Sequence, residues 1–331
     1  MSKAILVTGG AGYIGSHVVK QLTQRGESVT VLDNLITGFE DAIIGADFVK
    51  GDVGDGELVA NLLKEKNIES VLHFAAHTIV PESVENPLKY YRNNTANTRT
   101  LLECCQNQGV KHFIFSSTAA VYGIPEESPV TEQTPTSPIN PYGMSKLMSE
   151  YMLKDLGKVH PLSYVILRYF NVAGNDPEGN IGQRTEKATL LTKVAAEAAV
   201  GKREKLYIFG TDYDTPDGTG VRDYIHVEDL ASAHLKALDY LRNGGESTTL
   251  NAGYGYGYSV REVLEKFNEL NDKPLNIVEV ERRAGDPPSL IARADKIREV
   301  LGWQPQYNDL GVIVQSALDW EHKLLASYTE K

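Results

Sequence analysis

Short, unbroken apolar runs recur along the first half of the chain, each followed by a stretch with apolar positions at helical spacing. Ala4-Ile5-Leu6-Val7-Thr8 is the first run, and Val18, Val19 and Leu22 mark the helix after it. Further strands are predicted at 28–32, 48–49, 70–74, 112–115 and 163–168, with helices over 56–66 and 88–108. Runs apolar at every position suit strands buried on both faces, and their alternation with helices specifies a doubly wound parallel sheet with right-handed crossovers. That is a Rossmann-type α/β fold, with its ligand crevice at the carboxyl ends of the strands. The alternation loosens after residue 174, where a Gly- and Asp-rich stretch at 175–182 marks a domain boundary or an active-site loop. A helix near 188–200, a strand at 205–209, a turn-rich loop to 220 and a helix after 221–227 follow. Ser259 and Glu262 form a capping box for a helix through Leu270, whereas the glycine–tyrosine alternation at 254–258 reads as a loop. The expected division is a Rossmann domain at 1–174, with segments returning near 221–245, and a smaller α/β C-terminal domain over 175–331.

Between the first strand and the first helix stands Gly9-Gly10-Ala11-Gly12-Tyr13-Ile14-Gly15. Its glycines fit both G-x-G-x-x-G and G-x-x-G-x-x-G spacing. They permit a tight turn, let the backbone approach a pyrophosphate and aim a helix amino terminus at it. Asp33 ends the second strand, where an acid accepts from ribose hydroxyls and repels a 2′-phosphate. Asn34, Leu35 and Ile36 follow it with no arginine, which favours NAD over NADP.

In Asn140-Pro141-Tyr142-Gly143-Met144-Ser145-Lys146, Pro141 suits the first position of a helix. Tyr142 and Lys146 then lie one turn apart on one face. An ammonium about 4 Å from a phenol favours the phenolate by roughly 4 kcal/mol at an effective dielectric near 20, before desolvation. Lys146 is therefore expected to bring Tyr142 into a useful range for proton transfer. The strand at 112–115 runs on into Ser116-Ser117-Thr118, which puts hydroxyls at the same crevice.

Totals narrow the class. The 331 residues carry a net charge of −11, and a pI near 5.3 argues against a nucleic-acid partner. No run is long enough to span a membrane, and the amino terminus leads directly into a strand, so neither membrane nor targeting signal is expected. Cys104 and Cys105 are adjacent on a helix, which disfavours a disulfide or a metal site and fits a reducing cytoplasm.

Taken together, the segments at 9–15, 52–53, 73–76, 93–94, 116–123, 142–146, 168–174, 218–227 and 283–286 resemble the extended short-chain dehydrogenase/reductase family. Within it they resemble the branch that epimerises UDP-glucose and UDP-galactose at C4. They cover almost the whole chain in order. The resemblance implies NAD-dependent interconversion of the two UDP-sugars through a transient 4-keto sugar and enzyme-bound NADH, in a homodimer formed through helices near 88–108 and 142–156. It implies Tyr142 as acid/base for the 4-hydroxyl, Lys146 on the nicotinamide ribose and Thr118 hydrogen-bonding the same hydroxyl as Tyr142. On the cofactor side it implies Gly9, Gly12, Tyr13, Ile14, Gly15, Asp33, Asn34, Asp52, Val53, Phe74, Ala75, Ala76, Asn93, Ser116 and Tyr169, with Tyr142 and Lys146 shared. On the UDP-sugar side it implies Asn171, Phe209 near uracil, Arg222 and Arg283 on the pyrophosphate and Asp286 on the ribose, with Thr118 and Tyr142 shared.

Three positions depart from the family pattern. Thr78 stands where some members carry a lysine, and Leu190 where many carry an asparagine or histidine. Leu290 occupies a position where a bulky tyrosine would exclude N-acetyl groups, so activity on UDP-GlcNAc and UDP-GalNAc is expected. Among rivals, a dehydratase needs an Asp-Glu pair directly after Thr118 and finds Ala119-Ala120. A UDP-glucuronate epimerase would need cations near C6, which the sequence does not place. A non-catalytic NAD-binding module would have no need of Tyr142 and Lys146.

Overall fold

The computed structural model describes residues 4–329 apart from 187 and 284, without the side chains of 328 and 329. Its first part runs β1 (Ala4–Thr8), α1 (Tyr13–Gln24), β2 (Val29–Asp33), β3 (Asp47–Lys50), α2 (Gly56–Glu65) and β4 (Ile68–His73). It continues through α3 (Val80–Glu85), α4 (Pro87–Tyr90), α5 (Asn97–Gln108), β5 (His112–Thr118), α6 (Pro141–Val159) and β6 (Ser163–Tyr169). The predicted helix over 88–108 is interrupted: α4 passes through a π turn at Tyr91–Ala96 before α5 begins. π turns concentrate at functional sites, and this one carries Asn93 and Asn94.

The second part comprises β7 (Asn171–Ala173), α7 (Leu191–Ala199), β8 (Leu206–Phe209), β9 (Val221–Arg222), β10 (Tyr224–His226), α8 (Val227–Arg242) and β11 (Thr248–Ala252). After it come β12 (Tyr258–Ser259), α9 (Val260–Leu270), β13 (Ile277–Val280), β14 (Ser289–Leu290), α10 (Asp295–Leu301) and α11 (Leu310–Thr329). Seven strands form one sheet in the order β11-β6-β5-β4-β1-β2-β3, and every neighbouring pair is parallel. The order reverses between β1 and β4, which opens the crevice beyond their carboxyl ends. The chain's return to this sheet extends past the 221–245 stretch read from the sequence, because its last strand is 248–252. Smaller ribbons, β10-β7, β12-β9-β14 and β13-β8, build the remainder.

The alternation of side chains along each strand feeds two apolar layers. Ile5, Val7, Ile114, Val165 and Leu167 face the layer shared with α1 and α8, while Leu6, Phe113, Phe115 and Ile166 face that of α2 and α5. Each such fully buried side chain contributes about 1.5–3 kcal/mol over leaving it in water. Helix α6 starts as its sequence demands, with Pro141 in the first turn and the Asn140 carboxamide oxygen accepting from the Gly143 N–H at 2.8 Å. Tyr142, Lys146 and Glu150 succeed one another along its buried face. The capping box also forms, Ser259 accepting from the Glu262 N–H at 3.0 Å and Glu262 from the Ser259 N–H at 2.7 Å.

Candidate active site

The glycine turn closes against the neighbouring strand. Gly9 has φ of +72°, and a Cβ there would lie 2.5 Å from the Ala75 nitrogen; one at Gly15 would lie 2.2 Å from the Gly9 carbonyl oxygen. Only glycine permits that conformation at such close approach. Gly12 differs: a Cβ on it would meet nothing nearer than the Gly9 oxygen at 3.3 Å, so its outer side is open. Gly12 also begins α1, which has no side-chain cap. An uncapped helix amino terminus beside an open glycine is a cradle for a pyrophosphate.

The acids beyond it are fixed by the backbone. Asp33 accepts from the Ala11 N–H at 3.0 Å and the Leu35 N–H at 2.8 Å, and burial raises its carboxyl above the usual range. Asp52 accepts from the Asn34 and Asn97 amides at 3.0 Å and from the Gly54 N–H at 2.7 Å. Each carboxylate keeps lone pairs for ribose or adenine donors. These are the residues that would hold a dinucleotide, and their chemistry fits one. Val53 is buried in the second apolar layer, Ile14 packs on the first, and Asn93 donates to the Asn94 carboxamide at 3.0 Å. The Tyr13 hydroxyl donates to the Gly174 carbonyl at 2.5 Å, tying the first helix to the end of β7.

At the carboxyl end of β5 the reactive side chains gather. Thr118, Tyr142 and Lys146 are all buried, Lys146 to 2% exposure. The Thr118 hydroxyl accepts from the Ala120 N–H at 3.1 Å and hydrogen-bonds the Tyr142 phenol, which favours its ionised form. The Lys146 ammonium donates to the Ser116 carbonyl at 2.8 Å and lies 4.9 Å from the centre of the Phe115 ring. Burial pushes that amine down to about 7, against the pull of the Glu150 carboxylate a turn further along α6. This corrects the expectation that Lys146 simply lowers Tyr142. Burial raises the phenol, the hydroxyl of Thr118 offsets part of that, and burial lowers the lysine as well. Without ligand the phenol is thus held in its protonated form, while the amine titrates near 7.

Several supporting contacts carry no signal in the sequence. His234 of α8 gives its Nδ1 proton to the Leu230 carbonyl at 2.8 Å, and burial pulls it down to about 4. Its bare Nε2 therefore accepts from the Ser116 hydroxyl at 2.9 Å. The ring also packs 4.7 Å from Phe74 and 6.4 Å from Tyr169, so one histidine steadies three sequence-predicted residues. His73 is neutral too, pulled down to about 3 by burial and then by Lys146. Because Thr98 donates to the Asn94 carbonyl at 2.6 Å, His73 Nε2 is the donor to Thr98 at 2.8 Å and Nδ1 accepts from Thr8 at 2.6 Å. Beneath them Glu150 accepts from Ser117 at 2.6 Å and from Arg168 at 2.6 and 2.9 Å, all three buried.

The residues expected on the sugar-nucleotide side lie on β7, β8 and β9 and among 283, 286 and 290. Asn171 begins β7, and its N–H donates to the Asp223 carbonyl at 3.0 Å. Among the described residues Arg222 donates to carbonyls alone, those of Val221 at 2.9 Å and Pro288 at 3.4 Å. Arg283 rests on the Phe209 ring, 3.6 Å from its centre, so one face of Phe209 carries a guanidinium. Neither arginine pairs with a carboxylate among the described residues, as suits a site for an oxyanion ligand. The Asp286 N–H donates to the Arg283 carbonyl at 3.4 Å, and Leu290 lies half-buried, in register with Arg222. Leu190 precedes α7 and offers it no side-chain cap; Thr78 lies in the loop after β4.

The model of the NAD dependent epimerase/dehydratase family matches residues 5–253. The chain belongs to that family. A UDP-glucose 4-epimerase of Azospirillum brasilense is 55% identical over 98% of this chain and 93% of its own length. A UDP-glucose-4-epimerase structure from Stenotrophomonas maltophila, with bound NAD and formylated UDP-arabinopyranose, is 38% identical with a TM-score of 0.95, covering 98% and 99% of the two chains. The UDP-Glc/GlcNAc 4-epimerase structure of Campylobacter jejuni is 50% identical with a TM-score of 0.86, covering 97% and 100%. The epimerase/dehydratase fold accordingly extends over the whole chain and is not confined to its glycine turn.

Proposed function

We propose that this epimerase/dehydratase-family chain is an NAD-dependent UDP-glucose 4-epimerase, interconverting UDP-galactose and UDP-glucose. The observation that carries the reading is the buried Thr118–Tyr142–Lys146 group, together with two arginines that have no acid partner among the described residues. NAD, when bound, supplies a reversible hydride acceptor for C4 of the hexose. Tyr142 takes the proton of the 4-hydroxyl as that carbon is oxidised and returns it when the other face is reduced. Thr118 holds the same oxygen by hydrogen bond, and the Lys146 ammonium stabilises the phenolate while it lasts. The cofactor-side residues named from the sequence line the dinucleotide site. Arg222 and Arg283 grip the pyrophosphate, Asp286 the ribose, and Asn171 and Phe209 the sugar nucleotide. Anchoring through UDP leaves the sugar ring free to turn over between the two half-reactions.

The division of labour supports a dinucleotide-binding domain at 1–174, joined by β11, and a UDP-sugar domain in most of 175–331. Leu290 leaves room for an N-acetyl group beside the sugar, so UDP-GlcNAc and UDP-GalNAc are also substrates; absent turnover of both would refute this. Val84, Leu88, Met148 and Tyr151 leave apolar side chains exposed on α3, α4 and α6, which supports a homodimer through that face. Among the described residues no helix is long and apolar enough to cross a membrane. The deciding experiment follows UDP-galactose by NMR with the purified protein and no added cofactor. UDP-glucose should accumulate to equilibrium, and a folded, NAD-loaded protein that converts none would refute the assignment.

A further inference from the structure

The loop joining β8 to β9 contains a phenol that neither the sequence motifs nor the mechanism has used. Tyr213 is 6% exposed, and its hydroxyl is one of the few buried polar atoms with no hydrogen-bond partner among the described residues. Leaving such a group unpaired in a protein interior costs about 1–3 kcal/mol, so its persistence calls for a reason. The ring is not there by accident of a loose loop. Gly210, at φ of +84°, lets it approach so closely that a Cβ there would lie 2.7 Å from the ring. The Tyr213 N–H donates to the Gly218 carbonyl at 2.9 Å, and the Thr215 N–H to the Tyr213 carbonyl at 2.9 Å. Arg282 covers one face at 4.2 Å from the ring centre and is itself fixed by the Asp212 carboxylate at 2.6 Å.

Arg282 on Tyr213 and Arg283 on Phe209 are two consecutive arginine–aromatic stacks between the same two loops. One of them carries the pyrophosphate and base contacts assigned above. We infer that the Tyr213 hydroxyl is a further substrate contact, donating a hydrogen bond to the bound nucleoside diphosphate from the loop between Phe209 and Arg222. Its surroundings suit that role. The charges felt by the phenol include Asp286 and Arg222, the residues assigned to ribose and pyrophosphate, and burial raises it, so it stays a protonated donor. The preformed ring would then form its hydrogen bond at little entropic cost.

This inference rests on the UDP-sugar reading, and the test separates the two. Tyr213→Phe removes only the unpaired oxygen, so the thermal midpoint of the variant without ligand should equal or exceed that of the unaltered protein. UDP affinity, measured by calorimetry, should fall about 5- to 20-fold, with a correspondingly smaller UDP-induced rise in midpoint. KM for UDP-galactose should rise by a similar factor, with kcat within about twofold, because the hydroxyl touches the nucleotide and not the reacting carbon. Tyr207→Phe, at an exposed ring on the neighbouring strand, should change none of these. UDP binding that is tight in the unaltered protein and unchanged in Tyr213→Phe overturns the proposal alone. So does a drop in the unliganded midpoint with unchanged UDP affinity, which would mean a structural partner. An unaltered protein that fails to bind UDP removes the substrate reading, and this inference with it.

Discussion

At the carboxyl ends of β1, β2, β4 and β5 the polar side chains of the site already have protein partners, whereas in the loops after β8 and β13 the Tyr213 hydroxyl and the Arg283 guanidinium stay uncommitted beside an Arg282 that Asp212 holds. Asp33, Asp52, His73, Ser116 and His234 are each held by two or more hydrogen bonds or by burial among them. Arg222 and Arg283, by contrast, rest on carbonyl groups and on a ring face, and Tyr213 has an idle hydroxyl. The difference follows from what each side must do. Proton transfer needs groups placed to a fraction of an ångström, so their positions are fixed before any ligand arrives. Gripping a nucleotide while its sugar turns needs strong, charge-assisted contacts far from the reacting carbon, and those are saved for the ligand.

If that contrast holds, mutations on the two sides should separate cleanly. Tyr142→Phe, on the preformed side, should lower kcat by about 10²–10⁴-fold while leaving UDP affinity unchanged by calorimetry. A variant retaining normal turnover would show that another group carries the proton. Glu150→Ala attacks the foundation of the same side. It strands the buried Arg168 charge and should lower unfolding free energy by about 3–5 kcal/mol in a denaturant titration. Adding Arg168→Met to it should restore part of the loss, since it removes the stranded charge.

Arg283→Ala tests the uncommitted side. Exposed and resting on a ring face, the guanidinium contributes little to the fold, so stability should stay within about 0.5 kcal/mol. UDP affinity should fall about 10- to 100-fold in the same calorimetric measurement, the expected loss for charge-assisted hydrogen bonds. Equal losses of stability and affinity would erase the distinction between the two sides.

Legibility in the sequence divides along the same line. The parallel sheet, the glycine turn with Asp33, and the Tyr142–Lys146 pair on one face of α6 could all be read, because each is a local pattern of strand, turn or helix. His234 could not, because a histidine within the apolar face of α8 reads as core until β5 brings Ser116 to it. Glu150 was hidden likewise: its partners Ser117 and Arg168 come from β5 and β6, separated by 33 and 18 residues. The charge balance of Tyr142 escapes the sequence for a related reason, as spacing gives proximity but not burial. Tyr213 sits in a turn-rich loop where only the structure shows its hydroxyl to be enclosed.

The smallest effect concerns pH, and it too belongs to the preformed side. Burial pulls His17 and His234 down to about 4 and His73 and His226 to about 3, while unfolded histidines titrate near 6.5. Between those limits the unfolded chain binds more protons than the native one, so stability rises with pH and is lost as pH falls through 6.5 toward 4. Asp223 acts in the opposite sense. Burial raises it to about 6, so below that value the native state holds a proton that the unfolded chain does not, until the ordinary aspartate range is reached. Burial also raises Asp33, Asp229 and Glu228, which act in the same sense as Asp223, so a single histidine is best isolated by replacing it. Replacing His17, whose Nε2 is buried without a hydrogen-bond partner, removes one proton from that slope. In His17→Gln the pH dependence of unfolding free energy should flatten by about 1.4 kcal/mol per pH unit between pH 5 and 6. An unaltered slope, measured by urea titration across that interval, would show that His17 is protonated in the native protein.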